Sequence, residues 1–147
     1  MKRLLPPLLV LICLAAMGVL RVSAPGVMLI EGPAAWAGAA PILAGLAFLV
    51  AGSGTFRRRG TNIKTFNEPD VLVTDGLFRW TRNPMYLGFV LLLLGAAILL
   101  GSATAFGPVL LFWLVANSWY IPFEERALRL KFGDDYADYA RATPRWI

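Results

Sequence analysis

The chain has 147 residues, of which 58% are hydrophobic and 16% charged, with a formal net charge of +5. Soluble domains carry about 45–50% apolar and about 25% charged residues, so an apolar excess gathered in long blocks defines a membrane protein. With no histidine and a single cysteine, histidine acid–base chemistry, Cys–His nucleophiles, intrachain disulfides and Cys- or His-built metal sites are excluded.

The first apolar block runs over about 4–22, behind Lys2 and Arg3. A basic n-region and an apolar core also describe a signal peptide, but an Ala-x-Ala cleavage site is poorly supported, and a retained first span is favoured. Pro6 and Pro7 fall in its first turn, where a missing N–H costs least. Cys13 reads as a small buried or lipid-facing hydrophobe. A second span is expected over about 34–52, kinked at Pro41. Its small residues Ala37, Gly38, Ala44 and Gly45 suit close helix approach. Gly52-Ser53-Gly54 reads as the helix end.

A polar loop follows over 55–83. Arg57, Arg58 and Arg59 belong at headgroup level, and Asn67, Pro69, Asp75 and Gly76 supply turns. Val71-Leu72-Val73 is an apolar patch able to tuck back. Loops of this length are functional or disordered, and the alternation here favours an ordered, functional one.

No charged residue occurs from Pro84 to Phe123. As one helix this run would be roughly 60 Å long, about twice the hydrocarbon thickness of a bilayer. It therefore splits into spans at about 84–100 and 105–121, with a hairpin marked by Gly101 to Thr104 and Gly107-Pro108. The tail, 122–147, is expected to hold one amphipathic helix from Phe123 to Phe132, a break at Gly133, and a short helix ending before Pro144.

With four spans, the N-terminus, the 55–83 loop and the tail share one side. All of the 14 Lys and Arg residues except Arg21, and all of the nine acidic residues except Glu31, fall there. Basic connections mark the cytoplasmic side, so an integral protein of the inner membrane with both termini cytoplasmic is expected, its chemistry at the cytoplasmic interface. The basic charge lacks the motifs of a nucleic-acid binder.

Three features there carry chemistry. Asn83 and Pro84 suit an N-cap and a first helical residue, and a helix start reinforced by Arg79 and Arg82 attracts an anion. The plainer reading is two arginines snorkelling to headgroups. Glu124 and Glu125 either complement a helix dipole or, returned by the hairpin to Arg79, Arg82 and Tyr86, pair with those arginines. A zwitterion of the methionine type, carboxylate to the arginines and ammonium to the glutamates, would also fit between them. Tyr136 and Tyr139 share one helix face, with Arg145 and Trp146 beyond. They read as an interfacial anchor or as a cover for an adenine-like ring.

TDGLFRWTRNPMYLG at 74–88 and EERALRLKFGDDYADYARATPRWI at 124–147 resemble the membrane methyltransferases that include isoprenylcysteine carboxyl and phospholipid methyltransferases. The resemblance covers about 61–147. It implies an all-α integral membrane fold of about four transmembrane helices, a single domain over 1–147, whose cytoplasmic loop and C-terminal helical segment form a cofactor site. It implies S-adenosylmethionine as methyl donor and S-adenosylhomocysteine as product. Carried onto this chain, the cofactor residues are Gly76, Leu77, Arg82, Asn83, Pro84, Tyr86, Glu124 and Glu125, with Tyr136, Tyr139, Arg145 and Trp146. Arg79, Arg82 and Glu125 are the candidates for catalytic work, the arginines holding an acceptor carboxylate or phosphate and the glutamate an amine. Asn83 stands where prenylcysteine enzymes often have histidine, and four spans are fewer than many eukaryotic relatives have. The acceptor therefore stays open between a prenylcysteine-like carboxylate, a phospholipid amine and a small thiol. Membrane lipids and a lipidated or lipophilic small molecule are the expected partners, nucleic acid is not, and no oligomeric state is read. The rival reading is a non-enzymatic membrane accessory or assembly subunit.

Overall fold

The computed structural model describes residues 4–58 and 71–147. Among them the chain is helical, apart from one isolated bridge between Met28 and Ser102. The helices are α1 (Pro6–Ser23), α2 (Ala39–Arg58), α3 (Pro84–Leu100), α4 (Phe106–Val115) and α5 (Ile121–Ala142). Short 3-10 turns at Gly32–Gly38, Gly76–Arg79 and Ala103–Ala105 lead into α2, towards α3 and into α4. Three helical runs, Pro6–Ser23, Gly32–Thr55 and Ala103–Ala142, are long and apolar enough to cross a membrane, and Pro84–Leu100 is a shorter apolar helix. This is an all-α integral membrane protein.

Helix α3 is the centre and touches α1, α2 and α4. On α1, Leu9, Cys13 and Met17 are buried at a spacing of four, one stripe of a helix, while Leu8, Leu11, Ile12 and Val19 face outward as lipid-facing residues do. The core continues through Leu93 and Ala97 of α3 and Phe112, Ala116, Tyr120 and Ile121 of the last membrane helix.

Helices α2 and α3 meet backbone to backbone. A Cβ on Gly38 would sit 2.4 Å from the Gly95 carbonyl oxygen, and one on Gly45 would sit 2.6 Å from that of Gly88. These pairs are seven residues apart on each antiparallel helix, so both contacts lie on one seam. Without a water-driven hydrophobic force between helices, such close packing is what holds them together. Gly38 and Gly45 thus act as the sequence suggests, while Ala37 is exposed.

Three local expectations are corrected. Gly52-Ser53-Gly54 does not end α2, which continues to Arg58. Gly52 instead extends the seam against Met85 and Pro84, and the Ser53 and Thr55 hydroxyls donate to the Val50 and Ala51 carbonyls, so the polar side chains are satisfied within the helix. Pro41 does not kink the span midway: it lies in the first α turn after the 3-10 segment, where its missing N–H is tolerated. No new helix starts at Phe123. A π-helical turn at Ala116–Tyr120, in which the Ile121 N–H bonds the Ala116 carbonyl, joins α4 to α5. The widened turn ahead of Pro122 makes room for a ring that lacks an N–H and would crowd the carbonyl four residues back. Residues 55–58 of the expected polar loop are therefore helical. Of its expected features, Arg59, Asn67 and Pro69 lie outside the described residues, and Val73 is buried.

The break at Gly133 is real. Its φ of 51° and ψ of −120° interrupt α5 in a conformation open to glycine, and turn the last helical stretch back towards the membrane helices. At the opposite end, two connections are zipped together. The Leu29 and Ile30 amides donate to the Gly101 carbonyl, Ala103 N–H donates to Val27, and the Thr104 hydroxyl donates to Pro25. The Arg21 Nε–H donates to the Leu100 carbonyl, a cation on the negative end of α3.

Replacing Gly45 with leucine is expected to lower stability by about 1–3 kcal/mol or to prevent folding, because overpacking has no side chain to displace on the other helix. Gly18→Ala, where an added Cβ meets nothing within 4 Å, is expected to be neutral or slightly stabilising. Thermal unfolding in detergent compares the two.

Candidate functional site

The charged end of the bundle collects four pieces of chain: the 81–83 turn before α3, the first turn of α5, its last turn, and the extended segment Thr143 to Trp146. Pro144 stops α5, and Thr143 is extended, so the final residues leave the helix and lie along the turn. The backbone fixes that register. Arg82 N–H donates to the Pro144 carbonyl at 2.9 Å. The Thr81 hydroxyl and the Asn83 amide both donate to the Arg145 carbonyl, at 3.1 and 2.9 Å.

Asn83 is thus the residue before α3, as its type suggests, but its side chain does not cap the helix. The Arg145 carbonyl takes the carboxamide, and the Asn83 N–H finds the Thr81 hydroxyl at 3.1 Å instead. Thr81, 1% exposed, was not singled out by the sequence; its signal is a small hydroxyl among bulky residues just before an X-Pro helix start.

Glu125 is the electrostatic centre. Its side chain is 10% exposed and lies between two guanidinium groups. Arg82 Nη2 is 3.0 Å from Oε1, and Arg145 approaches through Nε at 3.1 Å to Oε1 and Nη2 at 2.6 Å to Oε2. The Arg145 pairing is two-pronged, the geometry in which arginine binds carboxylates most strongly. Hydrogen bonding to Glu125 raises the Arg145 pKa above its ordinary value, desolvation opposing. Arg82 also donates from Nη1 to the Ala140 carbonyl at 2.7 Å, which ties the last turn of α5 to the start of α3. Its Nε is buried with no acceptor among the described residues.

Glu124 lies beside this group and accepts from the Tyr86 hydroxyl at 2.9 Å. The hairpin therefore brings Glu124 and Glu125 to Tyr86 and Arg82, as the sequence implies, and the arginine pairs with the glutamate. Arg79 is exposed, and the described ion pairs of Glu125 come from Arg82 and Arg145. Gly76 opens the 3-10 turn with a φ of 62°, and Leu77 is half-buried beside it.

The tyrosines turn inward. Tyr136 is 1% exposed and meets Tyr139 edge to face, with ring centroids 6.2 Å apart. The Tyr139 hydroxyl donates to the Phe78 carbonyl at 2.8 Å. Burial pushes its phenol pKa well above the ordinary range, so it serves as a neutral donor rather than a base. Trp146 packs at 6.3 Å from Trp113, and its indole N–H donates to Asn117. Asn117 is a residue the sequence reading missed, and its signal was a lone carboxamide inside a forty-residue uncharged run. Beside the cluster, Phe48, Leu77, Trp80, Thr81 and Ile147 line an apolar groove of about 380 Å³.

The fold and the site together define an all-α membrane bundle with arginines and glutamates paired at one end. The chain belongs to the phospholipid methyltransferase family, whose model matches residues 33–135. It is 39% identical over 84 residues to a protein-S-isoprenylcysteine O-methyltransferase of Schizosaccharomyces pombe, a stretch that is 55% of this chain and 34% of that protein. It is 36% identical over 79 residues to protein-S-isoprenylcysteine O-methyltransferase B of Arabidopsis thaliana, covering 52% of this chain and 39% of the relative. An uncharacterized protein of Haemophilus influenzae matches along its whole length, 41% identical over 63 residues. The aligned stretch spans between a third and two fifths of the length of these two methyltransferases. No solved structure matches the chain at a significant level.

Removing one partner of a buried ion pair costs about 3–5 kcal/mol, because it strands the other charge. Glu125→Ala, which strands two arginines, is expected to destabilise more than Arg145→Ala, which leaves Arg82 on the carboxylate. Denaturant unfolding of the two single variants and the double variant measures the coupling.

Proposed function

We propose that this protein transfers a methyl group from S-adenosylmethionine to a lipophilic acceptor at the cytoplasmic face of the membrane, releasing S-adenosylhomocysteine. The observation that carries this reading is the junction of Arg82, Glu125 and Arg145 with Glu124 and Tyr86, where the third membrane helix begins and the fourth ends. Membership of a methyltransferase family and the names of the relatives support the reaction type. The distribution of basic residues supports the cytoplasmic orientation.

The donor set suits the cofactor. An amino-acid zwitterion needs cationic donors for its carboxylate and acidic acceptors for its ammonium, and two guanidinium groups stand here beside two carboxylates. The Arg82 Nε is buried without an acceptor among the described residues, a donor that a bound carboxylate would satisfy. Gly76, Leu77, Asn83 and Pro84 would form the wall at the helix start, and Tyr136, Tyr139 and Trp146 an aromatic side. When bound, S-adenosylmethionine supplies a methyl group already activated as a sulfonium, ready for in-line displacement by a nucleophile.

The residues of the chain then have three tasks. Arg82 and Arg145, fixed by Glu125, would hold the cofactor carboxylate and so orient the donor. The segment from Thr143 to Trp146, which lies along the 81–83 turn, would help to keep water away from the reacting centre. The apolar groove lined by Thr81 would receive the acceptor tail from the bilayer, and Arg79, exposed in the same 3-10 turn as the groove residue Leu77, would be available to an acceptor carboxylate or phosphate. A carboxylate or thiolate acceptor needs no base; an amine would attack as the neutral base, and the methylated ammonium product would then lose its proton, with Glu124 or Glu125 available to hold that cation. The acceptor class is a prenylcysteine-like carboxylate or a phospholipid amine.

Calorimetric titration of the detergent-solubilised protein with S-adenosylhomocysteine is expected to show binding. Affinity should fall about tenfold or more in Arg82→Ala and Glu125→Ala, the scale of a lost charge-assisted hydrogen bond. Trp36→Ala, 74% exposed at the opposite end, should bind as wild type does. Equal affinity in all variants would remove the site. Labelled donor with a total lipid extract and prenylcysteine peptides identifies the acceptor by which fraction gains label.

A further inference from the structure

The π-helical turn carries a residue that meets the tail. Because it adds a residue to one turn, it advances the following helix by about 100° relative to an unbroken α-helix. Ala116, Tyr120 and Ile121 are fully buried in the core. Asn117 faces the tail instead. Its Oδ1 accepts from Trp146 Nε1 at 3.1 Å and from Arg145 Nη1 at 3.3 Å. Both partners are obligate donors, so the oxygen assignment of this carboxamide is fixed by chemistry. Trp113, four residues earlier on the same face, meets the Trp146 ring. One carboxamide in an otherwise uncharged membrane helix thus holds two consecutive tail residues. One of them is the arginine that grips Glu125 from the other side.

We infer that Asn117 is a positioning residue. It seats the Thr143–Trp146 segment as a strap across the charged junction and thereby sets the Arg145 guanidinium against Glu125. The inference rests on the proposed cofactor reading for its effect on binding, but the seating of the strap is a separate property. The opposite wall of the strap is made by Thr81, Arg82 and Asn83 bonding to the Pro144 and Arg145 carbonyls. Those contacts are to backbone atoms and leave the Arg145 side chain free to turn. Among the described residues, Asn117 is the hydrogen-bond partner of the guanidinium besides Glu125.

The test uses Asn117→Leu, close in volume but unable to accept, and Asn117→Asp, which keeps the acceptor. Two readouts are taken on the full chain in detergent: amide hydrogen exchange over 141–147, and S-adenosylhomocysteine affinity. Exchange in the strap is expected to quicken at least about tenfold in Asn117→Leu, the equivalent of one lost hydrogen bond, and to return to the wild-type rate in Asn117→Asp. Affinity should fall by a similar factor and be restored in the same way. If Asn117→Leu does not fold, Trp146→Phe removes one of the two bonds while keeping an aromatic, if smaller, side chain, and a smaller change in the same direction is expected. Unchanged strap exchange in the folded leucine variant overturns the inference, whether or not the wild type binds the nucleoside. Faster exchange with unchanged affinity overturns the link to the site. Wild type that fails to bind at all overturns the cofactor reading, while strap exchange still decides the role of Asn117.

Discussion

Glu125 makes the rest of the charged end possible. A carboxylate with little exposure is costly to bury, and two guanidinium groups that meet it are costly as well. Each becomes tolerable because the others are there: Arg82 from the turn before α3, Arg145 from beyond the end of α5. The three charges join segments 43 and 20 residues apart in sequence, and they convert a loop, a helix start and a chain end into one object. Hydrogen bonds to backbone carbonyls at Ala140, Pro144 and Arg145 then fix the geometry that the charges favour.

This arrangement depends on how the membrane helices are packed. The glycine seam brings α2 against α3 at backbone distance, and α3 contacts α1 and α4 as well, so the start of α3 is held at a defined height. The Tyr120 hydroxyl, donating to the Leu4 carbonyl, ties the start of α1 to the same end. Tyr120 also stacks on Tyr86, whose hydroxyl reaches Glu124. Core packing and polar junction are therefore continuous: the aromatic pair belongs to both.

Two irregularities shape the run from α4 to the end of α5. Pro122 cannot donate a hydrogen bond, and the π turn before it relieves the crowding. Gly133 permits a backbone conformation that reverses the course of α5. Without that reversal, Tyr136, Tyr139 and Arg145 would project away from the membrane helices rather than onto the 76–83 segment.

The four apolar segments, the hairpin at Gly101, the break at Gly133 and the stop at Pro144 were legible in the sequence, because each follows from hydropathy, length or a residue with restricted backbone freedom. So was the meeting of Arg82 and Tyr86 with the two glutamates, since a hairpin must return the chain to the side it left. The Gly52–Gly54 stretch misled, because glycine serves helix contact as well as helix ending, and only the neighbour at Met85 and Pro84 distinguishes the two. Arg145 opposite Arg82, the turning of Asn83 away from capping, and the roles of Thr81 and Asn117 came from tertiary structure alone. Those depend on which face of a helix meets which strand of tail, and a pairing between distant residues leaves no periodicity in the chain.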